Sequence, residues 1–421
     1  MLDEARHEES RQRESASAVK IPATFNITDH FLYIPAMANP QRAAILGEPA
    51  PMTYGELASL TRRVSLAISR EGIAPNERVL IVLPDSAEFI AAFLGVVAMG
   101  AVAVPVNPMA READYAHYLR DSGAKLAIVH EGALAEFSPA ARGLRASAIV
   151  VVGASQAPSG CQLWQKWLPA SAAHKATRMT LATDTAFFLY TSGGGGTPKA
   201  AVHQHKDMLV TSQSFGRGIL DISAKDRTYS VSKLFFAYGL GNGMYFPLAV
   251  GAATVLDPER PKPERAAMLL AKYRPTIFFA VPTFYSAVLR EAELGMAFDF
   301  SSVRLAVSAG ERLPPEIWEK FKAKFGLEIL DAIGSTEMLH MFLSPHPGRG
   351  RAGSCGFPVP GYEAKIVDDA GAPVTQGEIG NLWVKGGGAF SEYWGIPELT
   401  AKTKIGDWVM TGDKFFCDAD G

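Results

Sequence analysis

Thr185-Ala186-Phe187-Phe188-Leu189-Tyr190-Thr191-Ser192-Gly193-Gly194-Gly195-Gly196-Thr197-Pro198-Lys199 is the most informative stretch of the chain. A β-like apolar run feeds a glycine-rich loop that closes on a lysine. Loops of this kind present several backbone N–H groups in one concavity and can hold phosphate. Lys199 adds a point charge suited to the same ligand. The loop is not a GxxxxGK[ST] phosphate loop, because Lys199 does not directly follow the last glycine and no Ser or Thr comes after it. A plain surface linker of four glycines would read the same way, so the loop needs company before it implies function.

Around it the chain alternates. Short β-branched runs at 79–83, 126–129, 148–152, 276–281 and 303–307 are separated by amphipathic segments such as 54–71, 87–99 and 316–325. This rhythm predicts an α/β fold, with parallel sheets covered by helices. Thr53 stands three residues before Glu56, a capping-box spacing. Pro314-Pro315 precedes the 316–325 segment, as a first-turn proline should. After about residue 341 the character changes. Residues 345–421 are rich in Gly and Pro, with alternating pieces at 362–367 and 381–384 and a hairpin turn at Asp368-Asp369-Ala370-Gly371. The expected organisation is a disordered leader (1–20), an α/β core (21–344) and a β-rich subdomain (345–421). Asp418-Ala419-Asp420-Gly421 resembles a turn between strands, so a further C-terminal part is expected.

Composition narrows the class. At 421 residues the chain has room for two to three structural units. With 48% hydrophobic and 20% charged residues it is an ordinary globular sequence with material for a large core. Lys and Arg number 41 against 43 acidic residues, which argues against nucleic-acid binding through a basic surface. Cys161, Cys355 and Cys417 are far apart and form no CxxC pair, so a disulfide scaffold is excluded and a reducing, cytoplasmic setting is expected. Residues 1–20 are charged and lack a signal-peptide core. The longest apolar run, 90–106, falls short of the roughly 20 residues of a membrane span and is broken by Gly100 and Pro105. It reads as a buried helix, a turn at Gly100 and a strand at 101–104.

Two further motifs carry chemistry. In Asp331-Ala332-Ile333-Gly334-Ser335-Thr336-Glu337, a strand-like run leads into a glycine, a hydroxyl pair and a carboxylate. Thr336 and Glu337 could position phosphate oxygens and Mg²⁺, which prefers hard oxygen ligands. A helix N-cap with Glu in the first turn would use the same residues. In Trp408-Val409-Met410-Thr411-Gly412-Asp413, the Asp could accept both hydroxyls of a ribose, or simply serve a turn. His203 and His205 form an HxH pair without an obvious third ligand, and read as structural residues.

In their order and spacing these motifs together resemble the adenylate-forming superfamily of acyl-CoA synthetases, luciferases and peptide-synthetase adenylation domains. Thr191, Ser192, Gly193, Gly196, Pro198 and Lys199 match its phosphate loop, and Gly334–Glu337 and Thr411–Asp413 match two more of its motifs. Thr53-Tyr54-Gly55-Glu56-Leu57, 353–358, Gly377-Glu378-Ile379-Gly380 and Tyr393-Trp394 extend the match over nearly the whole chain from about residue 25. The resemblance implies two parallel-type sheets flanked by helices plus a small antiparallel β unit. Lys233–Asn242, Phe246-Pro247-Leu248, Glu259-Arg260-Pro261, 308–314 and Met338-Leu339-His340 look like the benzoate–CoA ligase branch.

That branch implies an aryl pocket lined by Ala237, Tyr238, Ala309, Ile333, Gly334 and His340. A flat aromatic acid wants apolar and aromatic walls. The 233–242 segment has no carboxylate to meet a substrate ammonium, which disfavours an amino acid. The implied reaction joins an aryl carboxylate to ATP, giving acyl-AMP, and then to coenzyme A. Hydroxy- and aminobenzoates are the close alternatives, and a non-catalytic acid- or nucleotide-binding module the distant one. The resemblance gives Thr191, Ser192, Gly193, Gly196, Thr197 and Lys199 the β- and γ-phosphates. It gives Thr336 the α-phosphate, Glu337 the Mg²⁺, Asp413 the ribose, and Gly310, Glu311, Arg312, Asp331, Ala332 and Ile333 the adenine. It also implies a homodimer, for which the residues show no interface signal.

Two departures stand out. Gly194 and Gly195 replace hydroxyl residues of the family's loop, and Ala200 replaces a glycine. Losing hydrogen bonds to a charged group costs roughly 1.5–3 kcal/mol each, so weakened ATP handling is expected. The family's C-terminal domain, which carries the adenylation lysine, would follow residue 421; the chain as given is expected to turn over poorly.

Overall fold

Thr53 shows how closely local chemistry and architecture agree. Its hydroxyl accepts the Glu56 N–H at 3.2 Å, and the Glu56 carboxylate accepts the Thr53 N–H at 2.8 Å, closing the capping box that opens helix Tyr54–Arg70. The buried stripe of that helix, Leu57, Thr61, Val64 and Ile68, faces helix Ala87–Ala98, which is buried on every side from Phe89 onward. The two approach closely because residue 95 is glycine: a Cβ there would lie 2.7 Å from Val64 Cγ1. Met99 and Gly100 then turn the chain, Gly100 with φ +70°, into strand Val102–Pro105. The long apolar run is thus the helix, turn and strand expected of it. No helix among the described residues is long and apolar enough to cross a membrane.

This computed structural model describes residues 19–47, 50–156, 158–172, 177–191 and 196–421. Two seven-stranded sheets dominate. The first runs in the order Gln162–Leu163, Ile149–Val152, Leu126–His130, Arg78–Val82, Val102–Pro105, Thr185–Thr191, Lys199–Gln204. Only its last pair is antiparallel. The second runs Ile329–Asp331, Leu305–Ser308, Ile277–Ala280, Arg227–Ser230, Ala253–Leu256, Ala43–Gly47, Met52–Thr53, and again only the last pair is antiparallel. The inner strands, such as Ile277–Ala280 and Leu305–Ser308, are buried along their whole length, as strands covered on both faces must be. One continuous apolar core includes residues of both sheets and of helix Ala87–Ala98.

A four-stranded antiparallel sheet, Tyr362–Val367, Gly380–Gly386, Trp408–Phe415 and Lys404–Ile405, forms the small β unit. At Asp368–Gly371 the chain does turn, with Gly371 N–H donating to Asp368 O at 3.1 Å. The aromatic 233–242 segment enters a helical run, Ala237–Leu240, Gly241–Tyr245 and Phe246–Val250, which Gly251 ends in a left-handed conformation at φ +72°. Two local alternatives are set aside by the structure. Ser335–Glu337 does not cap a helix; it lies in a turn between the antiparallel strands Ile333–Gly334 and Met341–Ser344. Asp413 does not end a turn between strands: it sits within strand Trp408–Phe415, where the register with the neighbouring strand shifts between Asn381 and Trp383.

Candidate active site

Ligands of open α/β sheets gather beyond the carboxyl ends of the strands. In the second sheet, Ser308 and Asp331 end neighbouring parallel strands in direct register, and Ala332 N–H donates to Ser308 O at 2.9 Å. Gly310, at φ +92°, turns the chain away from Ala309 and leaves Glu311 and Arg312 exposed. Asp331 is only 4% exposed. Burial raises its carboxyl to about 7, against the opposing pull of the Arg312 guanidinium. The chain continues through Ile333 and Gly334 to Ser335, Thr336 and Glu337, all partly accessible. Residue 334 must be glycine here, because a Cβ would lie 2.4 Å from the His340 carbonyl oxygen.

The glycine-rich loop joins the two antiparallel strands at the edge of the first sheet, where Thr191 pairs with Lys199. Gly196 and Thr197 are exposed; Ser192, Gly193, Gly194 and Gly195 lie outside the described residues. Lys199 Nζ stands 4.9 Å from the centre of the Tyr393 ring. The Tyr393 hydroxyl donates to Glu337 Oε1 at 2.6 Å. The backbone of the same turn is held twice more: Phe390 N–H donates to Glu337 O at 2.6 Å, and His203 Nε2 to Thr336 O at 2.8 Å. The other His203 nitrogen lies 3.0 Å from Asp207 Oδ2, and both side chains are fully buried. His205 accepts the Ile27 N–H on Nδ1 at 3.2 Å, and burial lowers its pKa to about 4. The HxH pair therefore props the fold.

Asp413 is exposed, and its N–H donates to Thr411 Oγ1 at 3.1 Å. Thr411 Oγ1 in turn reaches Leu382 O across the irregular register, so the bulge re-aims Asp413 without stranding its neighbours. Desolvation raises its carboxyl, and the Glu337 charge adds to the rise.

The residues assigned to the aryl wall meet at the mouth of the same strands. The Tyr238 hydroxyl donates to Val307 O at 3.1 Å, next to Ala309. Burial raises that phenol well above its ordinary range, and nearby Asp331 reinforces the shift. The His340 ring lies 5.7 Å from that of Tyr238 and is packed among Phe215 and Phe246 at 5.2 and 4.5 Å. Its Nε2 lies 3.3 Å from Tyr238 O and 3.2 Å from Asn242 Oδ1; both accept, so Nε2 carries the proton. Burial lowers its pKa to about 3, and the ring is a neutral wall. Ala237 and Ala309 are buried, and Ile333 is half-buried.

Glu337 can hold a metal. It offers a partly accessible hard-oxygen carboxylate, and Oε2 has no hydrogen-bond partner among the described residues. Those residues contain no cluster of three His, Cys, Asp or Glu side chains. That pattern suits Mg²⁺, which is usually held by one or two carboxylates together with substrate phosphates.

The sequence reading missed Tyr393, His203 and Asn242 as site residues. Tyr393 was legible only as part of a motif match, and its contact with Glu337 spans 56 residues. His203 showed itself as half of an HxH pair, a pattern that speaks of metals and not of a carbonyl 133 residues away.

The profile of the AMP-binding enzyme family matches residues 34–394. The chain belongs to that family. A benzoate–CoA ligase of Thauera aromatica is 37% identical over 408 residues, 96% of this chain and 76% of that protein. Among solved structures, a benzoate CoA ligase from Burkholderia xenovorans LB400 superposes with a TM-score of 0.86 at 36% identity, covering 94% of this chain and 78% of that one. The anthranilate CoA ligase AuaEII, in complex with anthranoyl-AMP, superposes with a TM-score of 0.89 at 35% identity, covering 95% of this chain and 77% of that one. These relatives share the AMP-binding fold, with its two mainly parallel sheets, its flanking helices and its antiparallel unit.

Proposed function

We propose that this AMP-binding enzyme activates an aromatic carboxylate, benzoate in the first instance, and delivers it to coenzyme A. A carboxylate oxygen attacks the α-phosphorus of ATP, the bond to the β-phosphate oxygen breaks, and pyrophosphate leaves. The thiol of coenzyme A then attacks the acyl carbon, loses its proton, and AMP departs. Such transfers depend on positioning and on charge neutralisation, and need no protein nucleophile. Lys199 and the loop 191–197 take the β- and γ-phosphates. The Thr336 hydroxyl would meet the α-phosphate, and Glu337 would hold Mg²⁺, which when bound would supply charge neutralisation on the phosphates. Asp413 binds the ribose hydroxyls, and Gly310–Arg312 with Asp331–Ile333 frames the adenine. Ala237, Tyr238, Ala309, Gly334 and His340 enclose the ring of the acid.

The observation that carries this reading is the convergence of Tyr238, Asp331 and the Thr336–Glu337 turn at the carboxyl ends of strands Leu305–Ser308 and Ile329–Asp331. It is joined by the 37% identity to a benzoate–CoA ligase over 96% of the chain. A ring-hydroxylated or aminated benzoate has one observation in its favour. Asn242 Nδ2 and His340 Nδ1 are buried beside this wall without a hydrogen-bond partner among the described residues, a donor and an acceptor that such a substituent could satisfy. Pyrophosphate release with benzoate, hydroxybenzoates and aminobenzoates tests the function and ranks the acids. Release with none of them, together with no binding of the corresponding acyl-adenylate mimics, would reject it.

A further inference from the structure

The Tyr393–Glu337 contact does more than close a gap in the fold. A phenol donating to a carboxylate at 2.6 Å is a short, charge-assisted bond. It engages Oε1 and leaves Oε2 without a hydrogen-bond partner among the described residues. Tyr393 cannot easily swing away. It is 3% exposed, its N–H donates to Thr400 Oγ1 at 2.9 Å, and its ring packs against Phe390 at 4.7 Å. On the other side Lys199 Nζ lies over the same ring. The next residue, Trp394, is tied to the hairpin strand by its N–H to Ala200 O at 2.9 Å.

We infer that Tyr393 is a positioning residue that restricts Glu337 to metal ligation through one oxygen, and so biases the nucleotide site toward Mg²⁺ over Ca²⁺. Mg²⁺ demands a compact octahedron and takes carboxylates through single oxygens, whereas Ca²⁺ accepts larger coordination numbers and both oxygens of one carboxylate. With one lone pair of Oε1 taken by the phenol, the two-oxygen mode is disfavoured. The inference rests on the proposed nucleotide site. It adds to that proposal a cause for metal choice, located in a side chain that touches neither nucleotide nor acid.

The test is calorimetric titration of ATP into the chain with Mg²⁺ or Ca²⁺ present, for the parent and for Tyr393→Phe. Phe keeps the ring against Phe390 and beneath Lys199 and removes only the donor. The parent should bind ATP more tightly with Mg²⁺. The variant should lose that preference by about tenfold, through a gain with Ca²⁺, while remaining folded. Glu337→Asp, whose shorter carboxylate falls away from the phenol, should shift the ratio the same way and serves if Tyr393→Phe does not fold. A folded variant with the parent's Mg²⁺:Ca²⁺ ratio, or with equal losses for both metals, overturns the role of Tyr393 and leaves the nucleotide site standing. A parent that binds ATP with neither metal overturns both.

Discussion

His203 donates its Nε2 proton to the carbonyl oxygen of Thr336 at 2.8 Å, while its Nδ1 faces Asp207 at 3.0 Å. A strand of the first sheet thereby fixes the backbone of the turn that presents Thr336 and Glu337. His203→Leu leaves the Thr336 carbonyl without that donor and Asp207 buried without its imidazole. The expected cost is about 1–3 kcal/mol of stability, seen as a lower unfolding midpoint, with pyrophosphate release slowed about tenfold or more. His203→Gln, which can place an amide N–H near the lost Nε2, should recover part of the rate. Parent-like rates in His203→Leu would contradict this role.

The glycine-rich loop gives a prediction of opposite sign. Gly194→Ser with Gly195→Thr should add hydroxyl donors where phosphate is expected. Hydrogen bonds to charged groups contribute about 1.5–3 kcal/mol each, so ATP affinity should rise at least tenfold by calorimetry. Unchanged affinity would mean that the backbone N–H groups and Lys199 already suffice.

Asp331 makes stability depend on pH. Burial raises its carboxyl from 3.8 to about 7. Between those values the folded chain holds a proton that the unfolded chain has lost, so this group's contribution to stability falls as pH climbs from about 4 to about 7. Asp331→Asn carries no such penalty. It should be more stable than the parent at pH 8, by a margin on the order of a few kcal/mol, and the margin should close near pH 4. A margin that stays constant across this range would contradict the assignment.

Gly241 separates acid binding from nucleotide binding. A Cβ there would lie 2.5 Å from His340 Cδ2 and 2.7 Å from Nε2, so Gly241→Ala must push the ring out of place. Benzoate affinity should fall about tenfold or more, since displacing a packed aromatic typically costs 1–3 kcal/mol. ATP affinity should stay within a factor of two. Equal losses for both ligands would show that His340 is not a wall of the acid pocket alone.

The α/β class, the helix at Tyr54–Arg70 and the helix–turn–strand at 87–105 were legible because capping residues, apolar periodicity and Gly100 all act within a few residues. Sheet membership was not. Strand Ala43–Gly47 precedes every strand of the first sheet, yet pairs with Ala253–Leu256 in the second, and nothing local records a partner 200 residues away. The Gly334–Glu337 and Gly412–Asp413 motifs were found, but not their local shapes. Gly-Asp and Ser-Thr-Glu serve turns, caps and bulges alike, and only the neighbouring strands decide among them. Thr336 and Glu337 were named from motif chemistry, and Asp331 from the family resemblance. The roles of Tyr393 and His203, which hold the turn in place, were invisible because an aromatic hydroxyl or a buried imidazole takes its meaning from the atom it meets.

The account stands on one site that binds nucleotide and aromatic acid together. Calorimetric titration with a non-hydrolysable benzoyl-adenylate mimic, beside its long-chain fatty-acyl counterpart, tests it most directly. Tight binding of the benzoyl compound is predicted, with the fatty-acyl compound silent and Asp413→Ala weakening binding at least tenfold. Binding of the fatty-acyl compound in preference, or benzoyl-adenylate binding indifferent to Asp413→Ala, would contradict it.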